Sequence, residues 1–384
     1  MRNIILDRLL DVSLSAGRSA FLWGPRRTGK SYWIREHFGD GLLIDLLKTD
    51  VFAEYAARPA LLRERHADEK RTIIIDEIQM APELLNEVHW MIENKGTSFL
   101  LTGSSARKLR HGHANLLAGR AGSYSMCPLA YPEVEGFDIE AVMVSGLLPP
   151  HFLSDDPVFD LRAYVGDYLK QEIATEATVR SIPVFSDFLR VAATRSGELI
   201  NYTNIARESG VSAKTVRSYV EILEDTLLGY RMAPWRETRK RRLIETEKFY
   251  LFDVGVTNYL SRRAPKAGTP EFGNSFEQYI MMELKAYQAY RNPEMEIHFW
   301  RTSTGFEVDF VINRMEVGIE VKSAQRVGDH HLRSLRALNE EFAPKRSIVV
   351  SLETTKRTTD DGIEIYPYDE FLRSLWRGEI VPGA

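Results

Sequence analysis

Eight consecutive residues, Gly24-Pro25-Arg26-Arg27-Thr28-Gly29-Lys30-Ser31, fit G-x-x-x-x-G-K-[ST] at every position. The glycines let backbone N–H groups turn inward as an anion nest, and a following helix would add positive potential at its N-terminus. Lys30 would reach the outer phosphates of a nucleoside triphosphate, and Ser31 would ligate Mg²⁺. A second constellation stands 46 residues after Lys30, where Ile73-Ile74-Ile75 runs into Asp76-Glu77. Asp76 would hold Mg²⁺ through water, and Glu77 would act as general base on an attacking water. A third apolar run, Phe99-Leu100-Leu101-Thr102, leads into Gly103-Ser104-Ser105. A polar side chain there is a further candidate for the site. Ser104 is the first choice; Ser105 and Thr102 remain alternatives, and so does a plain capped turn.

These groups need a scaffold that brings strand ends together. Phe21-Leu22-Trp23, Leu42-Leu43-Ile44-Asp45, Thr72–Asp76 and Ser98–Thr102 are uninterrupted apolar runs, as strands buried on both faces of a parallel sheet are. Helical patterns over 59–64 and 82–92 separate them, which predicts α/β order with right-handed crossovers.

Five segments occur in the order Leu22-Trp23-Gly24-Pro25-Arg26, Ile75-Asp76-Glu77-Ile78-Gln79, Leu101-Thr102-Gly103-Ser104-Ser105, Leu117-Ala118-Gly119-Arg120 and Pro128-Leu129-Ala130-Tyr131-Pro132-Glu133. This set resembles the prokaryotic AAA+ ATPases that carry an uncharacterised C-terminal domain. The resemblance covers nearly the whole chain and is strongest over 1–140. It implies ATP and Mg²⁺ as ligands and a homo-oligomer with sites at subunit interfaces. Ring ATPases are often hexamers, but a sequence does not count subunits. The family usually has Gln at the position of Arg27. An arginine supplied in trans completes such sites; Arg120 is the best match, with Arg107 and Arg110 as rivals and a plain surface arginine as the bland alternative.

Helical spacing dominates residues 150 to about 235. Asn201–Glu208 reads as a helix, Ser209-Gly210-Val211 as a turn, and Ser212 as the cap of a second helix to about Leu223. Val211, Val216, Val220 and Leu223 would form its buried stripe. Lys214 and Arg217 would lie on the open side, as in a winged helix-turn-helix whose second helix reads DNA. After a strand over 227–232, Arg236-Glu237-Thr238-Arg239-Lys240-Arg241-Arg242 holds five basic residues and one acidic residue. Arg239, Lys240, Arg241 and Arg242 on a wing would suit a phosphate backbone. A winged helix serving only as a lid or scaffold is the competing interpretation.

In the last third, Glu307-Val308-Asp309-Phe310-Val311-Ile312 and Gly318-Ile319-Glu320-Val321-Lys322 read as neighbouring antiparallel strands. Period-two alternation puts Val308, Phe310 and Ile312 on one face and Asp309 on the other. Asp309, Glu320 and Lys322 would then converge, with Glu277 on the preceding helix as a fourth group. Two carboxylates and a lysine suit metal-assisted phosphodiester hydrolysis, with Glu277, Asp309 and Glu320 holding Mg²⁺. The set resembles the PD-(D/E)XK nuclease fold. Two other interpretations stay open: ordinary strand faces, or a nuclease fold kept as a silent scaffold. Lys248–Gly255 resembles a family signature in which Asp253 and Gly255 form a turn.

The expected architecture is therefore α/β: a P-loop AAA+ ATPase domain with a parallel sheet (1–149), a helical and winged helix-turn-helix region (150–249), and a PD-(D/E)XK nuclease-like α/β domain (250–384). Function reads as an oligomeric ATPase that binds and hydrolyses ATP to act on DNA, branched or broken DNA being one option, with a C-terminal nuclease in question. The alternative is an ATP-dependent regulatory switch with a silent C-terminal domain. Over 384 residues the net charge is −4, so any nucleic-acid surface must be local. One cysteine, Cys127, excludes a disulfide framework and a multi-cysteine zinc site. No window is apolar enough to span a bilayer, and Asp7, Arg8 and Asp11 interrupt any signal-peptide core. A reducing, cytoplasmic setting is the expectation.

Overall fold

A computed structural model describes residues 7–14, 18–105, 117, 119–169, 181–237 and 241–383. The chain separates into two compact units, one made of Arg8–Cys127 with Ile222–Leu228, the other of Pro128–Glu221 and the chain from Gly229 onward. No helix among the described residues is long and apolar enough to cross a membrane.

The first unit is built on five parallel strands: β1 (Ser19–Trp23), β2 (Leu42–Asp45), β3 (Ile73–Asp76), β4 (Phe99–Gly103) and β5 (Ala121–Ser125), in the order β2-β3-β4-β1-β5. Helices α1 (Lys30–His37), α2 (Thr49–Ala57), α3 (Leu61–His66) and α4 (Leu84–Lys95) connect them. Every residue of β3 and β4 is buried, as their apolar runs predict. β2 departs from that expectation: it is the sheet edge, and Leu43 is 50% exposed. β5 has no apolar run (Ala-Gly-Ser-Tyr-Ser) and was not legible in the pattern; backbone pairing with β1 alone holds it in register. Because all five strands are parallel, their carboxyl ends share one edge. The connection leaving β1 crosses to β2 on one side, whereas the one leaving β4 passes β1 to reach β5 on the other, which makes that edge a switch point of the kind where α/β sheets bind ligands.

The second unit begins with α5 (Ile139–Ser145), α6 (Pro149–Phe152) and α7 (Pro157–Ala163), followed by α8 (Ile182–Thr194). The helix-turn-helix follows as α9 (Tyr202–Ser209) and α10 (Ala213–Asp225). Asn201 caps α9 by accepting from the Asn204 N–H at 2.9 Å, Gly210 closes it in the left-handed region, and the Ser212 hydroxyl accepts from the Thr215 N–H at 3.1 Å. Val216, Val220 and Leu223 are buried as predicted, while Val211 is only half-buried. β6 (Gly229–Met232) pairs antiparallel with β7 (Lys248–Leu251). Asp253 is more than a turn residue: it caps α11 (Val254–Ser261), accepting from the N–H groups of Val256 and Leu147 at 2.9 and 2.8 Å.

The C-terminal sheet has six strands in the order β12-β13-β11-β10-β9-β8: β8 (Ile297–Arg301), β9 (Glu307–Ile312), β10 (Val317–Lys322), β11 (Arg346–Ser351), β12 (Arg357–Thr358) and β13 (Glu364–Pro367). Helices α12 (Pro270–Tyr290) and α14 (Tyr368–Trp376) cover one face through Phe276, Ile280, Phe371 and Leu372 against Phe310, Ile319 and Ile348. Helix α13 (Asp329–Phe342) covers the other through Leu332, Leu335 and Leu338 against Val311 and Val349.

The predicted alternation along β9 fails at one point. Phe310 and Ile312 face α12, but Val308 joins Val311 on the α13 side. The cause is a bulge: His298 pairs with Val311 and Trp300 with Val308, so two steps along β8 span three along β9.

The segment after β6 that holds the basic run is described only at its two ends. Its described flanks lie along the β8 edge: the Trp235 N–H donates to the Phe299 carbonyl at 2.7 Å and the Ile244 N–H to the Arg301 carbonyl at 2.9 Å. An open sheet edge offers unpaired backbone groups, and this segment satisfies them.

Candidate active site

The phosphate loop follows β1 directly. Gly24 sits where its N–H donates to the Gly103 carbonyl at 3.2 Å, and a Cβ there would come within 2.6 Å of the Met126 carbonyl, so a larger residue does not fit. Pro25 and Thr28 are buried, Arg26 is half-buried, and Arg27 is exposed with φ of 65°. Gly29 takes φ of 97° and opens α1 without any side-chain cap. A glycine at this position brings no side-chain acceptor of its own to the first-turn N–H groups of α1, as an anion site requires. Lys30 is buried, and its ammonium donates to the Gly24 and Pro25 carbonyls at 2.5 and 3.1 Å. Ser31 is exposed beside it.

At the neighbouring strand ends, the Thr102 hydroxyl donates to the Asp76 carboxylate. Burial pushes the Asp76 carboxyl above its usual range; the Thr102 hydrogen bond and the Lys30 charge oppose this, and Glu77 adds to it. Lys30 and Asp76 thus act on each other across one edge of the sheet. Glu77 is in the left-handed region at φ 60°. Its carboxylate accepts from the Ser104 hydroxyl at 3.1 Å, the Ser104 N–H at 3.3 Å and the Gln79 amide, which also donates to the Ser104 hydroxyl at 3.2 Å. Of the three candidates at the end of β4, Ser104 faces Glu77, Thr102 faces Asp76, and Ser105 donates to the Asp225 carbonyl at 3.4 Å.

Composition at this edge suits a magnesium–triphosphate: a hydroxyl, one carboxylate and phosphate oxygens are a usual ligand set for a small hard cation that keeps several waters. Arg120 is exposed and pairs with Glu93 of its own chain. Arg107 and Arg110 lie outside the described residues, as do Arg239 and Lys240.

Sequence reasoning missed Arg8. It is buried, and its guanidinium donates to the Thr28 carbonyl and, at 2.7 Å, to the Cys127 carbonyl, tying the phosphate loop to the end of β5. No local pattern marks it, because its partners are 20 and 119 residues away.

In the helix-turn-helix, Lys214 and Arg217 are exposed, and the Arg217 guanidinium stacks 5.1 Å over the Tyr202 ring. Arg242 is exposed too. Arg241 is not part of an open basic surface. Its guanidinium pairs with Glu340 at 2.8 Å and with the buried Glu341 at 3.2 Å, and it donates to the Ala337 carbonyl at 3.0 Å. The expectation that Arg241 meets phosphate is corrected by these bonds to α13.

The C-terminal sheet brings Glu277, Asp309, Glu320 and Lys322 into one electrostatic cluster. Asp309 is buried; at the bulge its carboxylate accepts from the Val321 N–H at 2.8 Å, in place of a strand-to-strand backbone bond. Burial lifts its carboxyl to about 7, Glu277 adding to the shift and Lys322 and Lys248 opposing it. Glu320 is pushed up by burial and by Asp309, although Lys322 sits 2.5 Å from its Oε1. Burial works against the Lys322 ammonium, but the Glu320 and Asp309 carboxylates outweigh it and raise its pKa.

Four members were not foreseen: Lys248, Tyr250, Glu307 and Arg301. Lys248 and Tyr250, side by side on one face of β7, both reach Glu277 Oε1, at 3.1 and 2.6 Å. Lys248 also pairs with Glu307 at 2.6 Å, and Glu307 with Arg301 at 2.7 Å. Among the described residues, no three His, Cys, Asp or Glu side chains are grouped so as to hold a metal ion. The expected ligand set of Glu277, Asp309 and Glu320 is therefore not assembled here, because Glu277 is turned to Lys248 and Tyr250.

Residues 17–135 match a family described as an AAA domain, which spans β1 to β5 and the phosphate loop. Residues 137–267 and 272–371 match two families described as domains of unknown function, DUF8612 and DUF4143. The chain is similar to the Mycobacterium tuberculosis protein Rv2008c, 24% identical over 310 residues, covering 78% of this chain and 69% of the relative. It is similar to a Haemophilus influenzae protein, 23% identical over 329 residues, covering 80% and 79%. Both relatives are described as uncharacterized. Two solved structures are also similar at 14% identity. The Aeropyrum pernix ORC1 protein in complex with DNA has a TM-score of 0.26, covering 64% of this chain and 86% of that chain. The ADP form of the Aeropyrum pernix ORC2 protein has a TM-score of 0.31, covering 70% and 88%. Scores this low assign nothing to this chain.

Proposed function

We propose that this protein binds ATP with Mg²⁺ at the carboxyl edge of its five-stranded sheet, hydrolyses it, and uses the cycle to act on DNA. The observation that carries the proposal is the pairing of an uncapped Gly29–Lys30 helix start with Asp76 on one sheet edge, close enough for Lys30 to perturb Asp76. The AAA domain match over the same residues supports it.

Bound magnesium supplies charge neutralisation for the phosphates. The residues of this chain do the rest. The backbone of Gly24–Ser31 cradles phosphate oxygens, Lys30 moves from its loop carbonyls to the outer phosphates, and Ser31 with Asp76 orients the cation. Glu77 takes the proton of the attacking water, and Ser104 positions that carboxylate. Arg120 leaves Glu93 to act on a neighbouring copy in a homo-oligomer. The exposed Lys214, Arg217 and Arg242 meet DNA, and the sequence adds Arg239 and Lys240 to that role.

The test is ATP turnover with and without linear, forked and four-way DNA, for the wild type and Glu77→Gln. The variant should lose at least about a hundredfold in rate, within the range of general-base contributions, while still binding nucleotide. Turnover of Glu77→Gln at the wild-type rate would remove the assigned base. A wild type that binds ATP but whose slow turnover ignores every DNA would favour the second reading, a switch with a silent C-terminal half. The lysine-occupied acidic cluster gives that reading some weight.

A further inference from the structure

The C-terminal cluster carries more charge than the residues read from sequence. Four carboxylates (Glu277, Glu307, Asp309, Glu320) meet three cations (Lys248, Lys322, Arg301). Lys248 is the most deeply placed cation: its side chain is 3% exposed, against 31% for Lys322 and 37% for Arg301. Its ammonium bridges Glu277 and Glu307 at 3.1 and 2.6 Å and packs 5.5 Å from the centre of the Phe299 ring. A buried ammonium loses its hydration, and two carboxylates within hydrogen-bond distance are what make that burial tolerable. Tyr250 adds a second donor to the same Glu277 oxygen. Meanwhile Glu320 Oε2 is buried with no hydrogen-bond partner, an acceptor left unsatisfied beside Asp309. An unpaired carboxylate oxygen in such a place is an unfilled cation contact.

We propose that Lys248 is the cation that withholds Glu277: it holds Glu277 against Glu307 and thereby keeps divalent metal from completing a site with the Asp309–Glu320 pair. Glu277 is the third carboxylate that a hard divalent ion needs, and Lys248 with Tyr250 withholds it. The proposal rests on reading Glu277, Asp309 and Glu320 as a metal-capable set. It is independent of the ATPase assignment.

The experiment measures Mn²⁺ binding to the full chain without nucleotide, by electron paramagnetic resonance of free Mn²⁺, in an Asp76→Asn background that removes the other candidate ligand. Lys248→Met keeps length and apolar contact with Phe299 but deletes the charge. It should bind Mn²⁺ at least about tenfold more tightly than the parent, and adding Asp309→Asn should abolish the gain. Equal affinity in parent and Lys248→Met overturns the proposal. A gain that survives Asp309→Asn overturns the metal-capable reading on which it rests. Should Lys248→Met fail to melt cooperatively, Tyr250→Phe decides. That change frees Glu277 from one donor without unpairing a charge and should tighten Mn²⁺ binding two- to fivefold; no change rejects the proposal.

Discussion

The Ser104 hydroxyl, just past β4, donates to the Glu77 carboxylate, just past β3, over 3.1 Å. Two adjacent parallel strands thus deliver an acceptor and its donor to the same point, and Gln79 spans both. The left-handed backbone at Glu77 turns its side chain back toward that point.

Ser104→Ala tests this contact. The substitution keeps the Ser104 N–H bond to Glu77 and removes only the hydroxyl. If Ser104 positions the base, kcat for ATP should fall by about 10–100-fold with KM changed less than about threefold, the signature of an interaction made in the transition state. Steady-state kinetics across ATP concentrations read both values. An unchanged kcat would return Ser104 to the role of a turn residue.

Arg8→Met should loosen the phosphate loop. Two buried carbonyls, those of Thr28 and Cys127, lose their donor. The expected loss is about 1–3 kcal/mol of stability, with weaker nucleotide binding as the loop relaxes. Thermal melts with and without ATP measure both; a variant that melts like the wild type and binds ATP equally well would show that the clamp is dispensable.

Arg241→Ala should cost stability rather than DNA affinity. It takes the guanidinium away from the buried Glu341, which keeps the bond from the residue 241 N–H, a loss of about 1–3 kcal/mol. Arg242→Ala, at an exposed position, should do the reverse: an unaltered melt, weaker DNA binding and a shallower salt dependence. Melting curves and DNA titrations at several salt concentrations separate the two. Equal effects on DNA binding would restore Arg241 to the basic surface.

Stability should decline toward alkaline pH through Glu283. Its carboxyl is buried against Trp376, Tyr279, the Tyr131 N–H and Glu133, and burial lifts it to about 8 from an ordinary 4.5. Below pH 4.5 it is protonated in both folded and unfolded chains and contributes no pH dependence. Between 4.5 and 8 the unfolded chain releases the proton while the folded one keeps it, so stability falls as pH rises and levels off above 8. Glu283→Gln cannot ionise. Its Tm relative to wild type should therefore improve steadily from pH 5 to pH 8; a constant difference would mean Glu283 is ionised in the native state.

Much of the candidate site is local in the sequence. The phosphate loop and the Asp76-Glu77 strand end are local patterns. A glycine-rich turn between an apolar run and a helix start has few other uses, and an isoleucine run ending in carboxylates must carry them to a strand end. The helix-turn-helix was equally visible, since Asn201, Gly210 and Ser212 mark its caps within a few residues. What tertiary structure alone decided is everything that depends on partners distant in sequence. Strand order made β2 an edge and recruited the nondescript Ala121–Ser125. One bulge in β9 turned Val308 over. Trp235 and Ile244 paired with β8, Arg241 docked on α13, and Lys248 came from β7 to claim Glu277. Periodicity along a chain records which face of an element is apolar; it holds no record of which element will pack against that face, or which charge a buried carboxylate will meet there.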